Sequence, residues 1–207
     1  MPERDIRIGA FFGFLTPEGG VRLQRRTQKG SRAAPGQSYE GDWELPGGGS
    51  ELPLEKALTL EGLDGEARRE TREELGFVPT HRIVFSHLYR AVLVNEEQGF
   101  EDWAFVLPVP PHIWNPDAQM KRDVVDVGPK ELRELALRPR GNQLLSGWGK
   151  RMCRLSLGTI VASSPDGIYK AQAATMLDEI RPDWRETEFF EDAEEALAGF
   201  RRELGLN

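Results

Sequence analysis

Three carboxylates within residues 69–77 have the spacing of a cluster on one helix face. Glu70, Glu73 and Glu74 stand at i, i+3 and i+4, so a helix would place them side by side. At about 6 Å and an effective dielectric of about 20, each close pair repels by roughly 3 kcal/mol. Clustered carboxylate oxygens suit Mg²⁺, and the charge of a bound cation would remove that repulsion. The alternative is a solvated helix face, where solvent screens most of the repulsion between the carboxylates.

The residues around this cluster resemble the box motif of the Nudix hydrolases. That box runs Gly, five residues, Glu, seven residues, then Arg-Glu-hydrophobic-x-Glu-Glu-x-Gly-hydrophobic. The second half of the motif matches, since seven residues lie between Glu61 and Arg69, and Gly76 and Phe77 follow in register. Thr71 replaces the usual aliphatic residue.

The first half of the box departs from the pattern. Glu55 stands six residues before Glu61 where a glycine is usual, and eleven residues instead of five separate Gly49 from Glu61. We therefore predict an enlarged loop at residues 50–60. Its leucines make it too apolar for a purely solvated insertion, so it would pack beside a cleft or against a second subunit, or simply extend the core.

The resemblance implies hydrolysis of the diphosphate linkage in a nucleoside diphosphate derivative, with Mg²⁺, or Mn²⁺ in its place. Glu70, Glu73 and Glu74 would hold the metal. Arg69 would orient a glutamate through a charge-assisted hydrogen bond, although an ordinary surface ion pair also explains it. Glu61 is expected to assist metal binding.

The general base is left unassigned because Nudix enzymes differ in the source of this carboxylate. The candidates are Glu61, Glu97, Glu101, Asp102 and Asp117.

Substrate binding has candidates upstream of the box. Residues 21–39 carry five basic side chains and no acidic one, including Arg25 and Arg26, so they could steer a polyphosphate; a solvated hairpin explains them equally well. Trp43 is a candidate for base stacking, although its place at a strand end is more typical of packing. Gly48 and Gly49 would let the loop backbone approach the metal, or would serve a plain tight turn.

Composition narrows the function class. The chain has 207 residues, a net charge of -7 and a pI near 5.2, which argues against broad nucleic-acid binding and leaves a small phosphorylated substrate. No apolar run is long enough to suggest a membrane span. A single cysteine, Cys153, favours a reducing cytoplasm. A homodimer is a further possibility.

The order of elements predicts an α/β/α sandwich around a mixed β-sheet, with a helical C-terminal extension; the word sandwich comes from the family resemblance. We assign residues 5–140 to the Nudix domain and residues 141–207 to the extension. A hairpin is predicted at residues 6–26. The predicted strands are 82–94, 102–109 and 124–127, with a short strand around Trp43, and the predicted helices are 63–75, 129–137, 143–161, 165–180 and 192–204.

Two other functions are compatible with the sequence. One is a Nudix-fold module that senses a ligand or binds a partner without turnover, which the intact glutamates disfavour. The other is an isoprenoid-diphosphate isomerase, which commonly needs a cysteine. Cys153 lies far along the chain, in a predicted tail helix.

Overall fold

A computed structural model of the chain describes residues 5–26, 41–79, 83–95, 99–113, 122–137 and 147–206. The strands are β1 (Asp5–Phe14), β2 (Val21–Arg25), β3 (Trp43–Glu44), β4 (Gly47–Gly49), β5 (Leu88–Asn95), β6 (Phe100–Val109), β7 (Val124–Val127) and β8 (Phe189–Phe190). The helices are α1 (Leu54–Ala57), α2 (Leu60–Leu75), α3 (Pro129–Leu137), α4 (Gly147–Ser163), α5 (Gly167–Ile180), α6 (Trp184–Thr187) and α7 (Ala193–Glu203), with a short 3₁₀ turn at Pro111–Ile113.

The strands form two sheets. The larger has the order β4-β1-β6-β5-β8, in which β1 and β6 run parallel over ten residues and the other pairs are antiparallel. The smaller is antiparallel, with the order β3-β2-β7. The described strands thus include the predicted mixed sheet.

Helices cover both faces of the larger sheet. Strand residues alternate between the faces, so Phe12 and Phe105 pack on the layer of α1, α2 and α7. Ala104 and Val106 pack on the layer of α3, α4 and α5. This arrangement confirms the predicted α/β/α sandwich.

The predicted hairpin between the first two strands is wrong. The turn is present, since the Gly19 N–H donates to the Thr16 carbonyl at 2.9 Å, but within residues 5–26 the strand pairing of its two arms is limited to the bridge between Leu15 and Val21. The reason is that both edges of β1 are occupied by β4 and β6. Strand β2 therefore pairs in the smaller sheet.

The C-terminal helices share the core of the strands. Leu155, Leu157 and Ile160 of α4 are fully buried against the larger sheet. The Tyr89 hydroxyl of β5 donates to Glu188 at 2.5 Å, and Arg154 of α4 pairs with the same carboxylate. Strand β8 then pairs with β5. Residues on both sides of the predicted boundary at 140 thus pack together, and the two-part division stays a prediction about domain organisation.

The enlarged loop contributes to the core. It contains α1, and Leu58 is fully buried, while Leu54 and Leu60 pack on the same cluster. Leu52 is exposed. Among the alternatives for this loop, extension of the core is therefore seen directly.

None of the helices within the described ranges has the length and apolar character needed to cross a membrane.

Candidate active site

Helix α2 packs one stripe of buried residues on the sheet and turns Glu70 and Glu74 toward the edge strand β4. Thr59 caps the N-terminus, its hydroxyl accepting from the Gly62 N–H at 3.0 Å, so the helix starts three residues earlier than predicted. Gly76 ends it in the left-handed conformation, as predicted. Four residues spaced by four are completely buried: Leu63, Ala67, Thr71 and Leu75.

The glycine strand β4 lies directly against the glutamate face. A Cβ atom on Gly48 would lie 2.6 Å from the carboxyl carbon of Glu70. Gly47 has a φ of +141°, and its N–H donates to Glu74 Oε2 at 3.1 Å. The sequence Gly47–Gly49 therefore allows the backbone to approach the carboxylates more closely than a side chain would permit.

Arg69 connects the helix to this strand. Its Nη2 donates to Glu70 Oε1 at 2.8 Å, to Glu66 Oε2 at 3.1 Å and to the Gly49 carbonyl at 3.2 Å. The hydrogen bond to Glu66 is the largest influence that raises the pKa of Arg69, and the charge of Glu70 adds to it. The guanidinium thus fixes the orientation of Glu70. The more exposed Glu73 lies 3.4 Å from Arg69 Nη1.

Glu66 is a member of the cluster that the sequence reasoning missed. It also accepts from the Glu51 N–H at 2.8 Å, so it joins the enlarged loop to the helix. Burial disfavours its charge, but the hydrogen bonds from Arg69 and from the Glu51 backbone prevail and lower its pKa. The sequence could have indicated this residue, since Glu66 stands four residues before Glu70 and therefore lies on the same helix face.

Glu61 does not join the cluster. It lies in the first turn of α2 and is exposed. Glu70 stands nine positions further along the helix, which corresponds to about 13.5 Å along the axis and about half a turn around it. The expected role of Glu61 in metal binding stays a prediction. Glu66 instead pairs with Arg69.

Glu74 lies at the centre of a second group of contacts, with donors from β2, from β4 and from the segment before β7. Its Oε2 accepts from Gln24 Nε2 of β2 at 2.5 Å and from the Gly47 N–H, while its Oε1 accepts from Arg122 Nη1 at 2.9 Å. Gln24 and Arg122 were also missed. They approach Glu74 from positions about 50 residues away in sequence, and no local pattern indicates such contacts.

A buried carboxylate adjoins Glu74. Glu44 of β3 is almost completely buried, and it accepts from Arg26 Nη1 at 2.7 Å and lies 3.6 Å from Arg122 Nη1. Burial, with a smaller effect of the charge of Glu74, raises the pKa of Glu44 to about 7, although Arg26 and Arg122 act in the opposite direction. Four charged side chains thus form one network.

The other predicted substrate residues have different environments. Arg26 belongs to the network through Glu44. Arg25 is more than half exposed and lies 3.8 Å from Asp123; it follows Gln24 by one residue, so strand alternation turns it to the opposite face. Trp43 packs on the core cluster beneath α4, which matches the packing interpretation.

The structure does not bring the described general-base candidates to the cluster. Asp102 lies 3.1 Å from Arg151 of α4, in the core on the opposite side of the sheet from α2. Glu101 accepts from Trp103 Nε1 at 3.0 Å. Glu97 and Asp117 lie outside the described residues.

The donor set fits a hard divalent cation by its chemistry. Burial raises the pKa of Glu70, and the charges of Glu74 and Glu73 raise it further although Arg69 lowers it, so a cation here would relieve the repulsion. Among the described residues, however, no three His, Cys, Asp or Glu side chains converge on one point that could hold a metal. Glu74 would have to exchange protein donors for the cation.

Comparisons with known proteins return solved structures at low sequence identity. No family model matches the chain, and no curated protein matches it. A MutT protein from Methanosarcina mazei Go1 is 19% identical over 75% of this chain and 96% of its own, with a TM-score of 0.46. The ORF135 protein of E. coli is 22% identical over 64% of this chain and 81% of its own, with a TM-score of 0.40.

A MutT Nudix hydrolase from Burkholderia pseudomallei is 21% identical over 61% of this chain and 85% of its own, with a TM-score of 0.39. In the residues of its box helix and in its α/β/α sandwich, the chain resembles the Nudix hydrolases.

Proposed function

We propose that the chain is a Mg²⁺-dependent pyrophosphohydrolase that cleaves the diphosphate linkage of a nucleoside diphosphate derivative. The observation that carries the proposal is the contact between the glutamate face of α2 and the glycine strand, where Gly48 leaves no atom between the backbone and Glu70. Such an arrangement combines carboxylate ligands with an open backbone edge. It suits a substrate whose phosphates bridge to the metal.

Glu70, Glu73 and Glu74 would hold the cation, which supplies charge neutralisation and polarisation of the phosphoryl oxygens when bound. Arg69 orients Glu70 by its 2.8 Å hydrogen bond. Arg122 places a guanidinium group beside Glu74, and Arg26 places another beside the adjacent Glu44, where they favour an anionic substrate. The attacking water needs a general base, which remains unassigned.

Product analysis tests the reaction. A panel of nucleoside diphosphate derivatives incubated with Mg²⁺ should yield a nucleoside monophosphate or a similar ester, identified by chromatography. Release of inorganic phosphate from simple monoesters alone would contradict the proposal. If none of the compounds in the panel changed, the sensing module would be favoured. A rearranged diphosphate would favour the isomerase.

Substitution of the ligands tests the site. Glu73→Gln and Glu74→Gln should each lower hydrolysis at saturating Mg²⁺ by at least about a hundredfold, because each removes a charged ligand from the transition state. Glu194→Gln, at an exposed position of α7, is the matched control and should retain the normal rate. Near-normal rates in both site variants would exclude the metal helix.

The isomerase alternative gains no support from Cys153. The thiol is buried in α4, near the Leu132 carbonyl and on the opposite side of the sheet from α2. Burial raises the pKa of Cys153 to about 12. A thiol in this position cannot reach a substrate held by the glutamate face.

A further inference from the structure

Arg122 occupies a position between two carboxylates that have different surroundings. Its Nη1 lies 2.9 Å from Glu74 Oε1 and 3.6 Å from Glu44 Oε1. The arginine side chain is 11% exposed, and that of Glu44 is 3% exposed. One guanidinium therefore contacts both the metal-helix glutamate and a buried glutamate of the smaller sheet.

A cation on Glu74 would compete with the protein donors that this carboxylate already has. Both of its oxygens already accept hydrogen bonds, Oε1 from Arg122 and Oε2 from Gln24 and Gly47. A cation that binds Glu74 would meet the positive guanidinium at contact distance, which is strongly unfavourable. Metal binding must therefore displace Arg122 from Oε1.

Glu44 provides the partner that keeps a displaced Arg122 near the site. Its second oxygen accepts from Arg26 Nη1 at 2.7 Å, and the Glu44 side chain is almost completely buried. A guanidinium that moves from Glu74 to Glu44 retains an ion pair and presents its remaining N–H groups beside the cation. Arginine binds phosphate in a bidentate manner.

We propose that Arg122 is a phosphate-binding residue that Glu74 holds until a divalent cation takes this carboxylate, after which Glu44 positions it for the substrate diphosphate. The inference rests on the proposed metal site. It assigns a substrate contact to a residue outside the box and explains why Glu44 is buried beside two arginines.

The first test measures Mn²⁺ binding without substrate, by titration calorimetry. Arg122→Gln removes the competitor and should lower the dissociation constant for Mn²⁺ by at least about three- to fivefold, which is the effect of an exposed ion pair, since this pair is mostly buried. Arg22→Gln is the matched control. Arg22 lies two residues before Gln24 on the same strand face, pairs with Asp126, and should bind Mn²⁺ like the wild type.

The second test measures binding of imidodiphosphate, a diphosphate that resists hydrolysis, at saturating Mn²⁺. Arg122→Gln should weaken its binding by about tenfold or more, because an arginine–phosphate contact is lost. The combination of tighter Mn²⁺ binding and weaker imidodiphosphate binding is not expected from a merely structural arginine. An unchanged or weaker affinity for Mn²⁺, or an unchanged affinity for imidodiphosphate, would overturn the proposal.

Arg122→Lys covers the case in which the glutamine variant does not fold. Lysine keeps the charge but loses the fork of donors, so imidodiphosphate should bind several-fold more weakly than to the wild type; equal binding would overturn the proposal. Glu74→Gln separates the two levels of inference. If this variant binds Mn²⁺ as well as the wild type, the proposed metal site is wrong. If it no longer binds Mn²⁺, the metal site stands, and the Arg122 variants then test only the phosphate-binding role of Arg122.

Discussion

Gly48 and Glu70 are in such close contact that a methyl group on the glycine would lie 2.6 Å from the carboxyl carbon of the glutamate. Because that atom belongs to the end of a side chain, Gly48→Ala should fold and displace Glu70. We expect Mg²⁺-dependent hydrolysis to fall by at least about tenfold, since small displacements of catalytic groups are costly. Steady-state kinetics with circular dichroism would measure both effects.

The control for this substitution is Gly65→Ala on α2. Gly65 has no atom within 4 Å of its built Cβ, and alanine is favoured over glycine inside a helix. The variant should keep the normal rate and gain about 0.5–1 kcal/mol in the free energy of unfolding. A normal rate in Gly48→Ala would show that the contact with Glu70 has no bearing on activity.

The sequence predicted the helix that carries the glutamates because both of its signals are local. The four-residue spacing from Leu63 to Leu75 defines the buried stripe, and Gly76 defines its end. The strand 124–127 and the helix 129–137 match the structure for the same reason. The strand predicted from residue 82 begins only at Leu88. Ile83 and Phe85 are buried, so their apolar character reflects burial in the core and not pairing in the strand.

The charge network could not be predicted because it depends on tertiary contacts. Gln24, Glu44 and Arg122 come from three different strands or strand ends of the smaller sheet, and only folding places them next to Glu74. The short elements α1, β4 and β8 were missed as well. Four or fewer residues contain too little periodicity to identify an element.

Glu66 and Glu61 provide a matched comparison on one helix. Glu66→Gln should lower activity by at least about tenfold, because Arg69 loses the charge that helps to hold it against Glu70 and the Glu51 N–H loses a charged acceptor. Glu61→Gln should remain within about twofold of the wild type, since Glu61 is exposed in the first turn. Initial rates on the best substrate would decide between them. The reverse ranking would favour the role that the box motif assigns to Glu61.

Glu44 should make stability depend on pH in an unusual direction for a carboxylate. Its pKa is about 7 in the folded protein against an ordinary value of 4.5, so between these values the folded state binds more protons than the unfolded state. Its contribution to stability is therefore present below about pH 4.5 and is lost as pH rises through about 7.

Glu44→Gln removes this titration, so its stability relative to the wild type should increase from pH 5 to pH 8. Urea unfolding in the presence of a chelator would measure the difference without interference from cations. Glu194→Gln, at an exposed glutamate, should show no such change. A difference independent of pH would mean that Glu44 ionises normally.

The contact between α4 and β5 bears on whether residues 141–207 are a separable extension. A Cβ atom on Gly158 would lie 2.3 Å from the ring of Tyr89, which is completely buried. Gly158→Val should therefore force the helix away from the sheet and lower the free energy of unfolding by about 3 kcal/mol or more. Gly167→Ala, with no atom within 4 Å of its built Cβ, is the matched control and should change it by less than about 1 kcal/mol.

A chain ending at residue 140 should fail to fold for the same reason. It would expose the face of the larger sheet that α4 covers with Leu155, Leu157 and Ile160, and burial of three such side chains contributes about 5–9 kcal/mol, comparable to the whole stability of a domain. Circular dichroism and analytical ultracentrifugation of the truncated chain would detect unfolded or aggregated protein. If the truncated chain gave a cooperative thermal transition, and Gly158→Val were as stable as Gly167→Ala, the C-terminal helices would be an independent addition. We expect instead that the second helical layer is required for the sheet to form.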